Sequence, residues 1–225
     1  MDRISNSNSE ILAAIAAELP DWRKLAQPLA ARYRTGDAVS GAAFVAAVTQ
    51  ASVAAGHGVP EIRLAPGVVD IGLYGVDAAG ARWVTPKDLE LARVITGLAH
   101  EHGLGAAPDE VTQVEIALDT ADDTVAGPFW AALLTGDAGN TVHDSAFDPT
   151  NRVPSVWFQR TDPHETPRQR WHMDLWLAPE SARSRIRAAV AAGGTVVDDS
   201  GSPSYTVLAD PEGNRVCVCT AVGRD

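Results

Sequence analysis

Basic runs, long apolar runs and cysteine are all scarce in this 225-residue chain, and each scarcity closes a class of function. Eighteen Lys and Arg stand against 29 Asp and Glu, a formal charge of −11. No lysine/arginine run occurs, so a partner that needs a basic patch, nucleic acid or an anionic membrane surface, is excluded. The longest apolar stretches, Ile11–Ala17 and Ala188–Ala192, fall far short of the roughly 20 residues that span a bilayer. The polar start, Met-Asp-Arg-Ile-Ser-Asn-Ser, lacks the apolar core of a secretion signal. Two cysteines, Cys217 and Cys219, stand at i and i+2. On a strand they share a face, a spacing poor for a disulfide, whose Cβ atoms lie about 3.8 Å apart. Reduced thiols and a cytoplasmic location are the expectation. Glycine-rich phosphate loops, a G-x-S-x-G elbow and a C-x-x-C pair are also missing, which removes the common nucleotide, serine-hydrolase and dithiol signatures.

What is present is ordinary globular material, 45% hydrophobic and 21% charged, long enough for one large domain or two small ones. Helical spacing covers Ser9–Leu19, closed by Pro20, and Trp22 follows as a core anchor. Leu29–Thr35 reads as a strand. Ser40–Ala55 is an alanine-rich helix with Ser40 as cap and Gly56 as stop. Glu61–Leu64 and Val68–Tyr74 are strands joined at Pro66-Gly67. Thr85–Leu98 is a helix with Thr85 as cap, Pro86 first and Asp88 in the first turn. The order is α-β-α-β-β-α over residues 1–101, and the Gly/Pro-rich stretch 102–112 reads as a linker.

Residues 113–225 carry an internal repeat. Strand Gln113–Asp119 leads to a helix near Val125–Leu134, then short strands near Thr141–Phe147 and Ser155–Thr161. Strand Arg170–Leu177 leads to helix Ser181–Ala192, then strands near Thr195–Val197, Ser204–Leu208 and Arg215–Thr220. Each copy reads β-α-β-β-β, with little sequence left for one strand of the first. Glu115 and His172 hold the same place, a period of 172 − 115 = 57 residues, which marks duplicated units around one core.

Phe129-Trp130, Val156-Trp157-Phe158-Gln159-Arg160, Arg168-Gln-Arg-Trp-His172-Met-Asp174, Gly193-Gly194 and Asp210-Pro211-Glu212-Gly213-Asn214 resemble the glyoxalase-like branch of the vicinal-oxygen-chelate superfamily. The resemblance implies a cleft between two modules in which up to four side chains hold a divalent metal. On this chain they fall on Glu115, His172, Gln159 and Cys217, with zinc, iron or nickel as the metal. The metal-free alternative makes His172 a proton-transfer residue and Cys217 a small buried hydrophobe. Trp157 shares the facing of Gln159 and either stacks on a planar ligand or packs in the core, and Arg168 or Arg170 meets an anionic substrate beside His172.

Trp22, Ala43-Phe44-Val45, Ala55-Gly56-His57, Pro60-Glu61-Ile62 and Trp83-Val84-Thr85-Pro86-Lys87-Asp88 resemble a pterin-4a-carbinolamine dehydratase. That family's paired histidines before a proline read here as His57-Gly58-Val59-Pro60, and the segment of its third histidine, Val76–Ala81, has none. Such dehydration needs an acid and a base, each typically contributing about 10²–10⁴-fold. His57 beside Glu61 supplies half of that. The alternative for His57 is a helix-end residue that meets the last carbonyls of the preceding helix.

The expectation is therefore an α+β protein, a degenerate dehydratase-like domain followed by a glyoxalase-like one. The leading function is a small-molecule lyase or isomerase in the second cleft, with His172 and Glu115 moving protons. One alternative is a residual 4a-hydroxytetrahydrobiopterin dehydratase using His57, and another is a non-catalytic binding or resistance protein. A homo-oligomer is expected in every version.

Overall fold

The structure, a computed structural model, describes residues 8–111, 116–163, 173–176, 179–219 and 222. The chain divides into two compact units, Met1–Gln113 and Val114–Asp225.

In the first unit α1 (Asn8–Glu18) precedes strands β1 (Trp22–Lys24) and β2 (Leu29–Arg34), then α2 (Ala38–Ala54), β3 (Glu61–Ala65), β4 (Val68–Leu73), the short β5 (Gly75–Val76) and β6 (Arg82–Trp83), α3 (Pro86–Glu101) and β7 (Gly105–Ala106). β1, β2, β4 and β3 lie side by side in that order, with β7 added to β2. Period-two burial decides the faces. Val69, Ile71 and Leu73 alternate inward on β4, as do Leu29, Ala31 and Tyr33 on β2, and they meet Trp22, Phe44, Val48, Leu91 and Ile95 in one core. On the other face Arg32, Asp70 and Arg63 stand in register on three neighbouring strands. Asp70 accepts from Arg32 at 2.6 and 3.0 Å and from Arg63 at 3.1 Å.

Two expectations change. The cap of α2 is Asp37, whose carboxylate accepts the Ser40 N–H at 2.7 Å. An aspartate three residues ahead of that N–H is placed to capture it, so the cap sits at Asp37 and Ser40 is inside the helix. The stretch read as a linker belongs to the first unit. Gly105–Ala106 pairs with Tyr33 and Arg34, and Glu110 bonds to Arg34 and lies 3.7 Å from Arg32. Its glycines turn the chain, at Gly103 with φ +67°, so composition that marks a flexible joint here serves a reversal.

In the second unit each half runs strand, helix, three strands. The first is β8 (Ile116–Thr120), α4 (Asp123–Thr135), β9 (Thr141–Val142), β10 (Ser145–Ala146) and β11 (Val156–Arg160). The second is β12 (Met173–Trp176), α5 (Pro179–Ala191), β13 (Thr195–Asp198), β14 (Tyr205–Ala209) and β15 (Arg215–Cys219). Both sheets have the same order, β8-β11-β10-β9 and β12-β15-β14-β13, with a parallel first–last pair. The strand with little sequence in the first copy is the two-residue β9, hairpinned to β10. The described strands begin 173 − 116 = 57 residues apart. The left-handed glycines that close the helices, Gly136 and Gly193, repeat that offset, 193 − 136 = 57.

The turn before each last strand is also duplicated. Asp148 accepts the N–H groups of Thr150 and Arg152, and Asp210 accepts those of Glu212 and Asn214. Both aspartates are buried. Asn151 and Gly213 take the positive φ that such a turn requires. One core joins the modules, with Phe129, Trp130, Leu133, Val156 and Phe158 from the first beside Leu208, Val216 and Val218 from the second. Polar fasteners cross between them. Trp130 donates its indole N–H to Asp210 at 3.0 Å, the Ala121 N–H donates to Glu212 at 2.8 Å, and Arg185 donates to the carbonyls of Leu133 and Leu134. Among the described residues no helix is long and apolar enough to cross a membrane.

Candidate functional site

In the first unit His57 lies where α2 ends and α3 begins. Gly56, with φ +62°, turns the chain out of α2. The His57 N–H caps Ser52, but its ring leaves the helix. Nε2 lies 2.8 Å from Asp88 Oδ1 and Nδ1 lies 2.6 Å from the Gly58 carbonyl oxygen. The side chain is only 10% exposed, and that of Asp88 is fully buried. Asp88 is the third residue of α3, and its other oxygen accepts from the N–H and hydroxyl of Thr85 at 2.7 and 2.6 Å. A capping box thus holds the carboxylate, and the carboxylate holds the imidazole.

Both ring partners are acceptors. One is the Asp88 carboxylate and the other the Gly58 carbonyl, so both ring nitrogens are engaged. The ring therefore fastens the end of α2 to the start of α3, across 31 residues of sequence, instead of meeting α2's last carbonyls. Asp88 reads in the sequence as a first-turn charge, and only the fold brings His57 to it.

Around this pair, a Cβ at Gly75 would lie 2.6 Å from Thr85 Cγ2, so the short β5 presses on the cap. Beside it Arg82 lies over the Tyr74 ring, 4.2 Å from its centre. Burial pushes the Tyr74 phenol up; the Arg82 charge opposes that and the Glu61 carboxylate adds to it. Glu61 is thus near Tyr74 and is exposed. The segment 76–81 forms a turn on Asp77, which accepts from Ala79, Ala81 and the Trp83 indole.

In the second unit the parallel strand pairs set two faces. Ile116, Leu118, Val156 and Phe158 enter the core, as do Met173, Leu175, Val216 and Val218. The opposite row of the first module holds Ala117 and Asp119 on β8, and Trp157 and Gln159 on β11. Ala117, Asp119 and Gln159 are exposed and Trp157 is half-buried. Cys217 lies half-buried on the corresponding face of β15, and Cys219 is buried.

Glu115, Arg170 and His172 lie outside the described residues. Gln159 and Cys217 lie on matching faces of the two modules, but they are not duplicates of one another. Gln159 pairs with Asp119, whose counterpart at 119 + 57 is Trp176, and Trp176 pairs with Cys219. Cys217 pairs with Asp174, the counterpart of Ala117, so its own duplicate is Trp157. Among the described residues no group of three or more His, Cys, Asp and Glu is placed to hold a metal ion. The described half of the donor set, an exposed amide and a half-buried thiol at unrelated positions, does not make a metal site by itself, and no catalytic step is derived through one.

Residues 5–98 match the family described as pterin 4 alpha carbinolamine dehydratase, and residues 115–219 match the family described as glyoxalase-like domain. No curated protein matches the chain. Among solved structures, a transcriptional coactivator/pterin dehydratase from Brucella melitensis is 24% identical with a TM-score of 0.37, covering 42% of this chain and 98% of its own. A glyoxalase/bleomycin resistance protein from Albidiferax ferrireducens T118 is 20% identical with a TM-score of 0.37, covering 48% and 97%. The chain joins a domain of the pterin-4a-carbinolamine dehydratase family to a glyoxalase-like domain.

Proposed function

We propose that the chain is a lyase or isomerase that moves protons on a small oxygenated molecule, and that the glyoxalase-like domain does this work. The observation that supports this reading is the row left outside the core in the first module: Asp119, Trp157 and Gln159 on one parallel strand pair, with Cys217 on the matching face of the second. A sheet face covered by helix on one side only leaves its other row to meet a ligand. To His172 and Glu115 we assign general acid and base roles, and to Arg170 a contact with an anionic group. The assignment of a reaction class rests on family likeness, so the experiment comes first.

One divalent ion, zinc, iron or nickel, is proposed on Glu115 and His172 as a separate question. Elemental analysis of protein purified without chelator is expected to find about one equivalent of transition metal, lost in Glu115→Ala and in His172→Ala. Protein that stays metal-free after reconstitution with each ion removes the metal from the proposal and leaves the acid–base reading in place. Dehydration or isomerisation of hydroxy and oxo acids, abolished by His172→Ala, is the result expected for the catalytic reading. Stoichiometric binding without product overturns it in favour of a binding or resistance protein. We further propose a homo-oligomer, read by sedimentation.

A second reading keeps dehydratase chemistry in the first domain. Its support is the imidazole of His57, held by a buried carboxylate as a positioned proton carrier would be. It ranks lower because the histidine stands alone and both its nitrogens are engaged. Turnover of a 4a-hydroxytetrahydropterin that disappears in His57→Ala would raise it. Turnover that survives the substitution removes His57 from the reaction.

A further inference from the structure

We propose that the outer face of β8 and β11 binds a flat polar ring whose edge carries adjacent N–H donors and a carbonyl, the chemistry of the amino-pyrimidinone edge of guanine. The inference rests on the reading of this face as the small-molecule site and names the class of ligand it takes.

Four tryptophans have described side chains. Trp22 donates its indole N–H to Thr96 at 2.9 Å, Trp83 to Asp77 at 2.8 Å and Trp130 to Asp210 at 3.0 Å. Trp157 makes no such bond to any described residue, although its neighbours Val156 and Phe158 anchor the strand in the core. An aromatic with a polar handle normally finds a partner where it is partly enclosed. Beside Trp157 stand Ala117 on β8, exposed, and Ser145 on β10, half-buried, so the described residues flanking the indole in the sheet are small.

Two residues further along the same face, about 6.6 Å, Asp119 and Gln159 stand opposite one another. Both are exposed, and neither side chain is bonded to a described residue. An aspartate carboxylate accepts two parallel N–H groups at once. A glutamine carboxamide beside it gives an N–H to a carbonyl on the same edge. A ring stacked on the Trp157 indole therefore reaches a paired acceptor and a donor with its edge. Base–aromatic stacking of this kind is sequence-tolerant and strong enough to see.

The test is calorimetric titration of the full chain with guanosine, with inosine, which lacks the exocyclic amine, and with malate as an aliphatic hydroxy acid. Saturable guanosine binding is expected, weaker for inosine. It should fall by roughly 10-fold or more in Trp157→Leu, in line with stacking losses, and comparably in Asp119→Asn. Leucine keeps apolar bulk at the half-buried site and Asp119 is exposed, so circular dichroism should find both variants folded. Absence of guanosine binding at millimolar concentration, or binding unchanged in both variants, overturns the proposal. Malate binding that is lost in Cys217→Ser, with guanosine silent, sinks the ring while the small-molecule reading stands. Silence of all three compounds sinks both.

Discussion

At the scale of single residues, the chain places its charges where geometry can use them. Asp88 is fully buried, with one oxygen on the Thr85 cap and the other on His57. Removing the imidazole leaves a buried acceptor without its partner, which costs about 1–3 kcal/mol. We therefore expect His57→Ala to lower stability by that order in urea unfolding. We expect the loss to shrink when Asp88→Asn is already present, because the two residues share one bond. Asp70 offers a pH test. Burial pushes its carboxyl up, but the Arg32 and Arg63 guanidinium groups overcome that and hold it below the usual aspartate range. A carboxyl depressed in the folded state contributes stability above its unfolded pKa, and that contribution is lost as pH falls through the folded value. Asp70→Asn should therefore cost stability at neutral pH and flatten the loss on acidification, read as denaturation midpoints from pH 7 down to acid. The pair is partly solvated, so the effect is modest.

Among elements, close approach decides more than propensity. The segment after α5 passes so near α4 that a Cβ built on Gly194 would stand 2.0 Å from Phe129 Cε2. The rings of Phe129 and Trp130 are already locked edge to face, so the clash has no easy relief. Gly194→Ala is expected to destabilise the second unit by about 1–3 kcal/mol or more, as overpacking does. Gly97→Ala makes the matching control, because its Cβ would meet nothing within 4 Å. At α3 the capping box predicts that Thr85→Ala costs about 1 kcal/mol. It should also loosen the His57 ring, seen as a changed imidazole line in NMR. The α2 cap illustrates a limit of reading caps from sequence. Asp37 and Ser40 both suit the position, and the extended backbone at Asp37, φ −154° and ψ 177°, chooses between them.

For the whole molecule, each unit carries its own core. We expect the fragments 1–113 and 114–225 to fold separately, each with a cooperative thermal transition. A fragment that stays unfolded alone while the full chain is folded would overturn that division. The duplicated half makes a further expectation at this scale. Because Asp148 and Asp210 build the same turn, Asp210→Asn should be the costlier change of the two equivalents. Asp210 also receives the Trp130 indole and the Asn214 amide, whereas among the described residues Asp148 bonds to Thr150 and Arg152 of its own loop.

Much of this was legible in the residues alone. The duplicated β-α-β-β-β order, the 57-residue period and the helix with Thr85 and Pro86 at its head follow from periodicity and capping chemistry, which act within a few residues. The two family likenesses were legible from short motifs in the same way. Tertiary structure decided what depends on residues far apart in sequence. It took His57 to Asp88, gave the Gly-rich stretch after α3 to the first sheet, and settled that Gln159 duplicates Cys219 and Cys217 duplicates Trp157. Such pairings depend on strand register and loop closure, and a slip of one residue would exchange the faces of a strand without altering its composition.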